Sequence, residues 1–191
     1  MNMRDDYLFN RKTIAVFSNF HLEKEYSGVL QGKKHFFVRQ SPLTIVRASF
    51  LNVGSTLEGA LSSSRFHLKR KCNVPVALSV SHNMILIQCK AAGDLDGTVW
   101  IVASHIVRIE PYKKKQTIVY TTDGHELIVD MKTAKLQTLR KEAMFLRATL
   151  LKNQRLEISL LSDEEENSGF LLVKENGQIN YTAKQKGKAK K

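Results

Sequence analysis

The hydrophobic period of this chain changes at Ser41, and that switch limits what the chain can fold into. Ahead of it the apolar residues come in short runs. Residues 13–17 and 28–31 have strand composition. His35-Phe36-Phe37-Val38 joins aromatic and β-branched residues, which suit a pleated surface. Residues 1–11 read as frayed. Ser41-Pro42 then places an N-cap before a proline at the first helical position. Leu43, Val46, Phe50 and Val53 recur at helical spacing, Gly54 is a stop, and Ser55-Thr56 caps a second helix through Leu61. Residues 42–61 therefore read as a helical hairpin, with Ser62-Ser63-Ser64 as a hydrogen-bonding linker after it.

From Arg65 onward the pattern returns to strands, over 74–80, 84–89 and 98–109, with a turn at 93–97. Asp123-Gly124 between two apolar runs predicts a hairpin of residues 116–121 and 126–131 with positive φ at both central positions. Thr133 is placed to cap the longest helix, to about Leu151. Leu136, Leu139, Ala143, Leu146 and Leu150 form a heptad seam on it. The seam covers only about two heptads, short of the three or four an independent coiled coil needs. It suits a helix packed on its own sheet, or in a sharper reading an oligomer contact. The fold class is α+β: an antiparallel sheet with a short helical hairpin and a long C-terminal helix. Residues 1–160 read as one domain and 161–191 as an acidic-then-basic tail.

Charge narrows the function. The formal net charge is +12. Residues 26–93 hold nine Lys or Arg (Lys33, Lys34, Arg39, Arg47, Arg65, Lys69, Arg70, Lys71, Lys90) against one acid, Glu58, so they carry 9 − 1 = +8. The last eight residues add five lysines and no acid. Such blocks repel themselves in a compact fold, and a polyanion is the usual compensation. Lys113, Lys114 and Lys115 form a further run ahead of the hairpin.

Other chemistries find little support. Gly28 and Gly32 with Lys33 superficially resemble a phosphate loop. The spacing is one residue short, and Lys34 stands where a magnesium-binding Ser or Thr belongs. No two histidines stand three or four apart, so no metal site is expected, and His105 reads as an ordinary strand histidine. Cys72 and Cys89 are too few for a disulfide framework and read as thiols of a reducing compartment. No serine sits in a nucleophile elbow. No apolar run approaches the ~18 residues of a membrane span. The expectation is a soluble cytoplasmic protein that is not an enzyme and needs no cofactor.

The middle of the chain resembles the ComK family of bacterial competence transcription factors, over roughly residues 36–150. The match begins at Ser41-Pro42-Leu43-Thr44-Ile45-Val46 and runs through Ser49, Gly54-Ser55-Thr56 and Gly59. It resumes at Val74-Pro75, Asn83 to Ile87, Trp100-Ile101 and His105-Ile106-Val107. The chain is a divergent member. Phe50 stands where the family has a cysteine, Asn52-Val53 replaces an aromatic pair, Ala60 replaces an arginine, Val76 a proline, and Thr98 a second cysteine.

The resemblance implies a DNA-binding activator that works as an oligomer on AT-rich sites, chiefly through the minor groove. Narrow AT-tract grooves have enhanced negative potential that draws in Arg and Lys. Arg47, Arg65, Lys69, Arg70 and Lys71 are the expected phosphate or groove contacts, with Ser55 and Thr56 donating hydrogen bonds at a helix start. Lys113, Lys114 and Lys115 would form a second contact line. Positive side chains from residues 33–90 should converge on one surface. Phe170–Val173 resembles the tail segment that family members offer to a proteolytic adaptor.

Two rival readings are a LytTR-like hairpin reader built from residues 98–131 and an RNA-binding or ribosome-associated protein. The second needs exposed stacking aromatics. Phe36, Phe37 and Phe66 are the candidates, and core packing is expected for all three.

Overall fold

A computed structural model describes residues 3–21, 24–92, 97–160, 170–173 and 182–185, with side chains in the last helix described to Gln154. The chain forms two compact units, Met1–Lys152 and Asn153–Lys191. The acidic run of residues 163–166, four of the five tail lysines and residues 93–96 lie outside the described residues.

Among the described residues, ten strands and three α-helices form the larger unit, the last helix continuing past Lys152 into the second. They are β1 (Met3–Arg4), β2 (Thr13–His21), β3 (Lys24–Gln31), β4 (Lys34–Val38), α1 (Pro42–Asn52), α2 (Leu57–Leu68), β5 (Val76–Ser79), β6 (Met84–Lys90), β7 (Thr98–Val102), β8 (Ile106–Pro111), β9 (Thr117–Thr121), β10 (Glu126–Val129) and α3 (Thr133–Leu160). Seven strands form one sheet in the order β1-β4-β3-β2-β7-β6-β5, and three form a second, β10-β9-β8. Every pairing is antiparallel except β1 with β4. The fold is therefore α+β.

The large sheet is buried on both faces, which is why β7 and the first four residues of β6, Met84–Ile87, read as apolar runs. Val16, Val29, Leu86, Trp100 and Val102 share one core with Ile45, Val46 and Phe50 of α1 and Leu57 of α2. Ile14, Ile85, Ile87 and Ile101 share the other with Val119 and Val129 of the small sheet and Leu136, Leu139, Ala143 and Leu146 of α3. The heptad seam is thus spent inside the protein. Leu136, Leu139, Ala143 and Leu146 are buried there, and Leu150 packs against the same cluster. The four buried side chains leave no exposed seam for a second copy in this fold, and Leu150 is half-buried.

Local chemistry explains four further departures from expectation. Residues 3–11 are not frayed, because two aromatics anchor them: Tyr7 and Phe9 are buried. The Tyr7 hydroxyl lies 2.6 Å from Thr13 Oγ1, and the Phe9 amide donates to Ser49 Oγ at 2.9 Å. The second helix runs past the serines to Leu68, so Ser62–64 are helical rather than a linker. Ser62 Oγ donates to the Glu58 carbonyl one turn back at 3.0 Å, satisfying its hydroxyl without leaving the helix. The strand expected over 98–109 breaks at Ala103–His105, where the chain leaves the large sheet for the small one. Ser104 Oγ donates to the Asn83 carbonyl, and His105 Nδ1 meets Thr122 Oγ1 at 2.7 Å, fixing that corner. His105 is accordingly a corner residue, not a strand one. Thr133 is the first residue of α3 rather than its cap; the Lys132 carbonyl accepts from the Leu136 amide. The 123–124 turn has φ of 64° at Asp123 and 80° at Gly124.

In the second unit, β11 (Phe170–Val173) pairs antiparallel with β12 (Thr182–Gln185).

Candidate nucleic-acid interface

A groove of about 760 Å³ lies where α2, the end of β6, the β8–β9 turn and the start of α3 meet. β5 pairs with β6 only as far as Leu86, and among the described residues no strand pairs with β6 on that side again until Ala91, just past its end, meets Val129. Residues after α2 and at the start of α3 close over this gap. The floor is apolar, with Leu61, Val74, Ile87, Met131 and Leu139. Among the described residues the rim carries Arg65, Lys90, Lys115, Lys132 and Lys135 and one carboxylate, Asp130. Asn73 and Gln88 add side-chain amides.

Each cation has a local reason for its place. Arg65 stands in the last turn of α2, where a positive charge also suits the helix dipole. That helix ends because Lys69 turns left-handed, with φ of 52°, and its amide bonds back to the Arg65 carbonyl. Lys115 also has positive φ, 71°, in a tight turn closed by Gln116 N to Lys113 O at 2.9 Å. Lys132 and Lys135 flank the start of α3, which the Asp130 amide ties to the Lys90 carbonyl at 2.9 Å. Among the described residues, no carboxylate is paired with Arg65, Lys115, Lys132 or Lys135.

Both cysteines line the groove. Cys72 is exposed. Cys89 is buried, and burial pushes its thiol up to about 12, with the Lys135 charge opposing weakly.

Of the ten residues expected at the interface, the groove gathers two, Arg65 and Lys115. Lys71 is exposed beside groove-lining Cys72. Lys69 lines a separate hollow of about 490 Å³ with His67, Lys141, Glu142 and Phe145. Arg70 is held by Glu142 at 2.5 Å in a half-buried ion pair. Arg47 pairs with Glu58 at 3.1 Å on the surface. There the Glu58 carboxyl is held below the usual range by its own backbone amide first and by Arg47 second. Thr56 caps α2 by accepting from the Gly59 amide at 3.1 Å, so its oxygen is committed to the fold. Ser55 is exposed in the α1–α2 turn. Lys113 lies over the Tyr112 ring at 5.3 Å, and Lys114 is exposed. Arg39, counted in the basic block, pairs with Asp5. The single convergent surface expected of residues 33–90 is therefore corrected: several of its charges are neutralised or face elsewhere.

Two groove residues, Lys132 and Lys135, were missed as site residues. They sit in a part of the sequence whose charges nearly cancel, so no local run marks them. Other arginines are structural. Arg140 donates to the Ile106 carbonyl at 2.7 Å and to that of Val107, and Arg147 to that of Val80. The planar fork suits such bracing, whereas lysine ammonium groups stay as mobile point charges.

Gly28 lies inside β3, where a Cβ would collide with the Phe17 ring, and Gly32 is a turn residue, so they form no phosphate loop. Among the described residues no three His, Cys, Asp or Glu side chains could hold a metal ion. No helix among them is long and apolar enough to cross a membrane.

The model of the ComK protein family matches residues 4–156, most of the chain. The chain belongs to the ComK family. That family consists of competence transcription factors, DNA-binding activators, and the basic groove lies wholly within the matched region. No curated protein and no solved structure matches the chain.

Proposed function

We propose that the groove seats the sugar–phosphate backbone of AT-rich duplex DNA, and that the protein activates transcription from such sites by an approach chiefly through the minor groove. One observation carries this reading. Four cations from three parts of the fold, Arg65, Lys115, Lys132 and Lys135, line one concavity to which the described residues contribute a single carboxylate, Asp130. Phosphates compensate such a cluster, and a narrow A·T minor groove adds negative potential on the same side of the duplex. In the same reading the protein is cytoplasmic and works as a homo-oligomer through a surface other than the buried seam. It offers Phe170–Val173 to a proteolytic adaptor.

Salt dependence tests the groove. With about four phosphates engaged, log K falls against log salt with a slope of about −3 to −4 in an anisotropy titration. A flat plot rejects the reading. Minor-groove ligands compete with the protein for its site. Interference by major-groove methyl groups would instead favour the hairpin reader, although residues 98–131 are divided between two sheets here.

A further inference from the structure

Phe66 was expected in the core and is not there. At 77% exposed it is the most solvent-exposed large apolar side chain among the described residues, whereas Phe36 is 3% exposed. Its position on α2 explains this. Leu57, Ser64 and the partly buried Leu61 and Leu68 mark the inward face of that helix. At about 100° per residue, Phe66 points roughly opposite Ser64. The ring therefore stands on a ridge, oriented by an edge-on contact with His67 at 5.1 Å between centroids.

The ridge is flanked by positive charge. Arg65 faces the groove, and Lys69 lines the second hollow with Lys141. A bare aromatic ring between cations suits an anionic partner that also presents an apolar surface. A DNA base step is such a partner: phosphates on either side, stacked bases between.

Resting on the DNA-binding reading above, we infer that Phe66 is a wedge that enters a base step of the bound duplex and partly unstacks it. Minor-groove proteins use apolar side chains this way to kink DNA, and the flexible TA step is the cheapest to open.

The test uses the full chain and a duplex with 2-aminopurine beside a central TA step. Binding of the unaltered protein raises the 2-aminopurine fluorescence. Phe66→Ala abolishes that rise and weakens binding roughly tenfold, while Phe66→Leu retains part of the rise. The salt slope of Phe66→Ala stays that of the parent, because no phosphate contact is lost. Its thermal midpoint also stays, because the ring packs on no core. An unchanged fluorescence rise and affinity in Phe66→Ala overturns the inference. So does a change in sedimentation mass without DNA, which would assign the ring to a protein contact. If the unaltered protein itself shows no salt-dependent binding, the DNA-binding reading fails first.

Discussion

Arg47 and Arg65 stand on consecutive helices of the same hairpin, and both are exposed. Their surroundings differ. Arg47 meets the one acid of its stretch, Glu58, at 3.1 Å. Arg65 faces Lys115, Lys132 and Lys135 across the groove. At the first, the charge is neutralised within the protein, and little is left for a ligand. At the second, cations that have no carboxylate partner among the described residues lie near one another, an arrangement that a bound polyanion would compensate. Positive charge along the chain and positive charge in space are thus separate quantities, and only the second makes an interface.

The sharpest way to break this contrast is charge reversal at the groove. Lys132→Glu with Lys135→Glu should weaken DNA binding by about a hundredfold or more at low salt and reduce the magnitude of the salt slope by about 2. Anisotropy titrations at several salt concentrations read both quantities. Binding that survives intact would move the interface elsewhere.

Arg70→Ala should act on stability instead. It leaves Glu142 half-buried without its partner, and the second carboxylate oxygen, Oε2, already has none. Because the arginine is about a third exposed, the loss should be modest, about 1–2 kcal/mol by urea unfolding. The salt slope should not change.

Arg47→Ala sharpens the comparison from the other side. Affinity should stay within about twofold and the urea midpoint should not move measurably, as for other exposed pairs. A tenfold loss of affinity would show that the Arg47–Glu58 pair opens to DNA.

The thiols report the geometry of the groove wall. Near neutral pH an aromatic disulfide reagent should modify Cys72 quickly and leave Cys89 untouched until the protein unfolds. The raised Cys89 value fixes the sign of a pH effect. Its neutral thiol supports the fold below the ordinary cysteine pKa. That support is lost as pH rises from there toward about 12, because only the unfolded chain ionises. Unfolding midpoints at pH 7 and pH 10 should fall in that order.

The fold was largely legible in the sequence, because its main signals are local. Ser41-Pro42 starts α1, with the Ser41 side chain accepting from the Thr44 amide. Asp123-Gly124 supplies the two positive φ angles of its turn, and the leucine seam marks the inner face of α3. The unforeseen parts depend on distant residues. Arg70 reads as part of a basic run until Glu142, 72 residues away, arrives beside it. Lys132 and Lys135 become important only when the start of α3 closes against β6. Phe66 looks like core until the helix phase turns it outward. No window along the chain contains such information, since each depends on which elements the fold places side by side.

The most direct test places a cleavage probe at each of the two compared regions. In a Cys72→Ser background, an iron chelate would be attached at Lys135→Cys or at Arg47→Cys, and the bound duplex examined for strand cleavage. Cleavage from the Lys135→Cys probe, concentrated across the minor groove of A·T runs, with only weak cutting from the Arg47→Cys probe, is the predicted result. Strong cleavage from Arg47→Cys with none from Lys135→Cys would contradict the account.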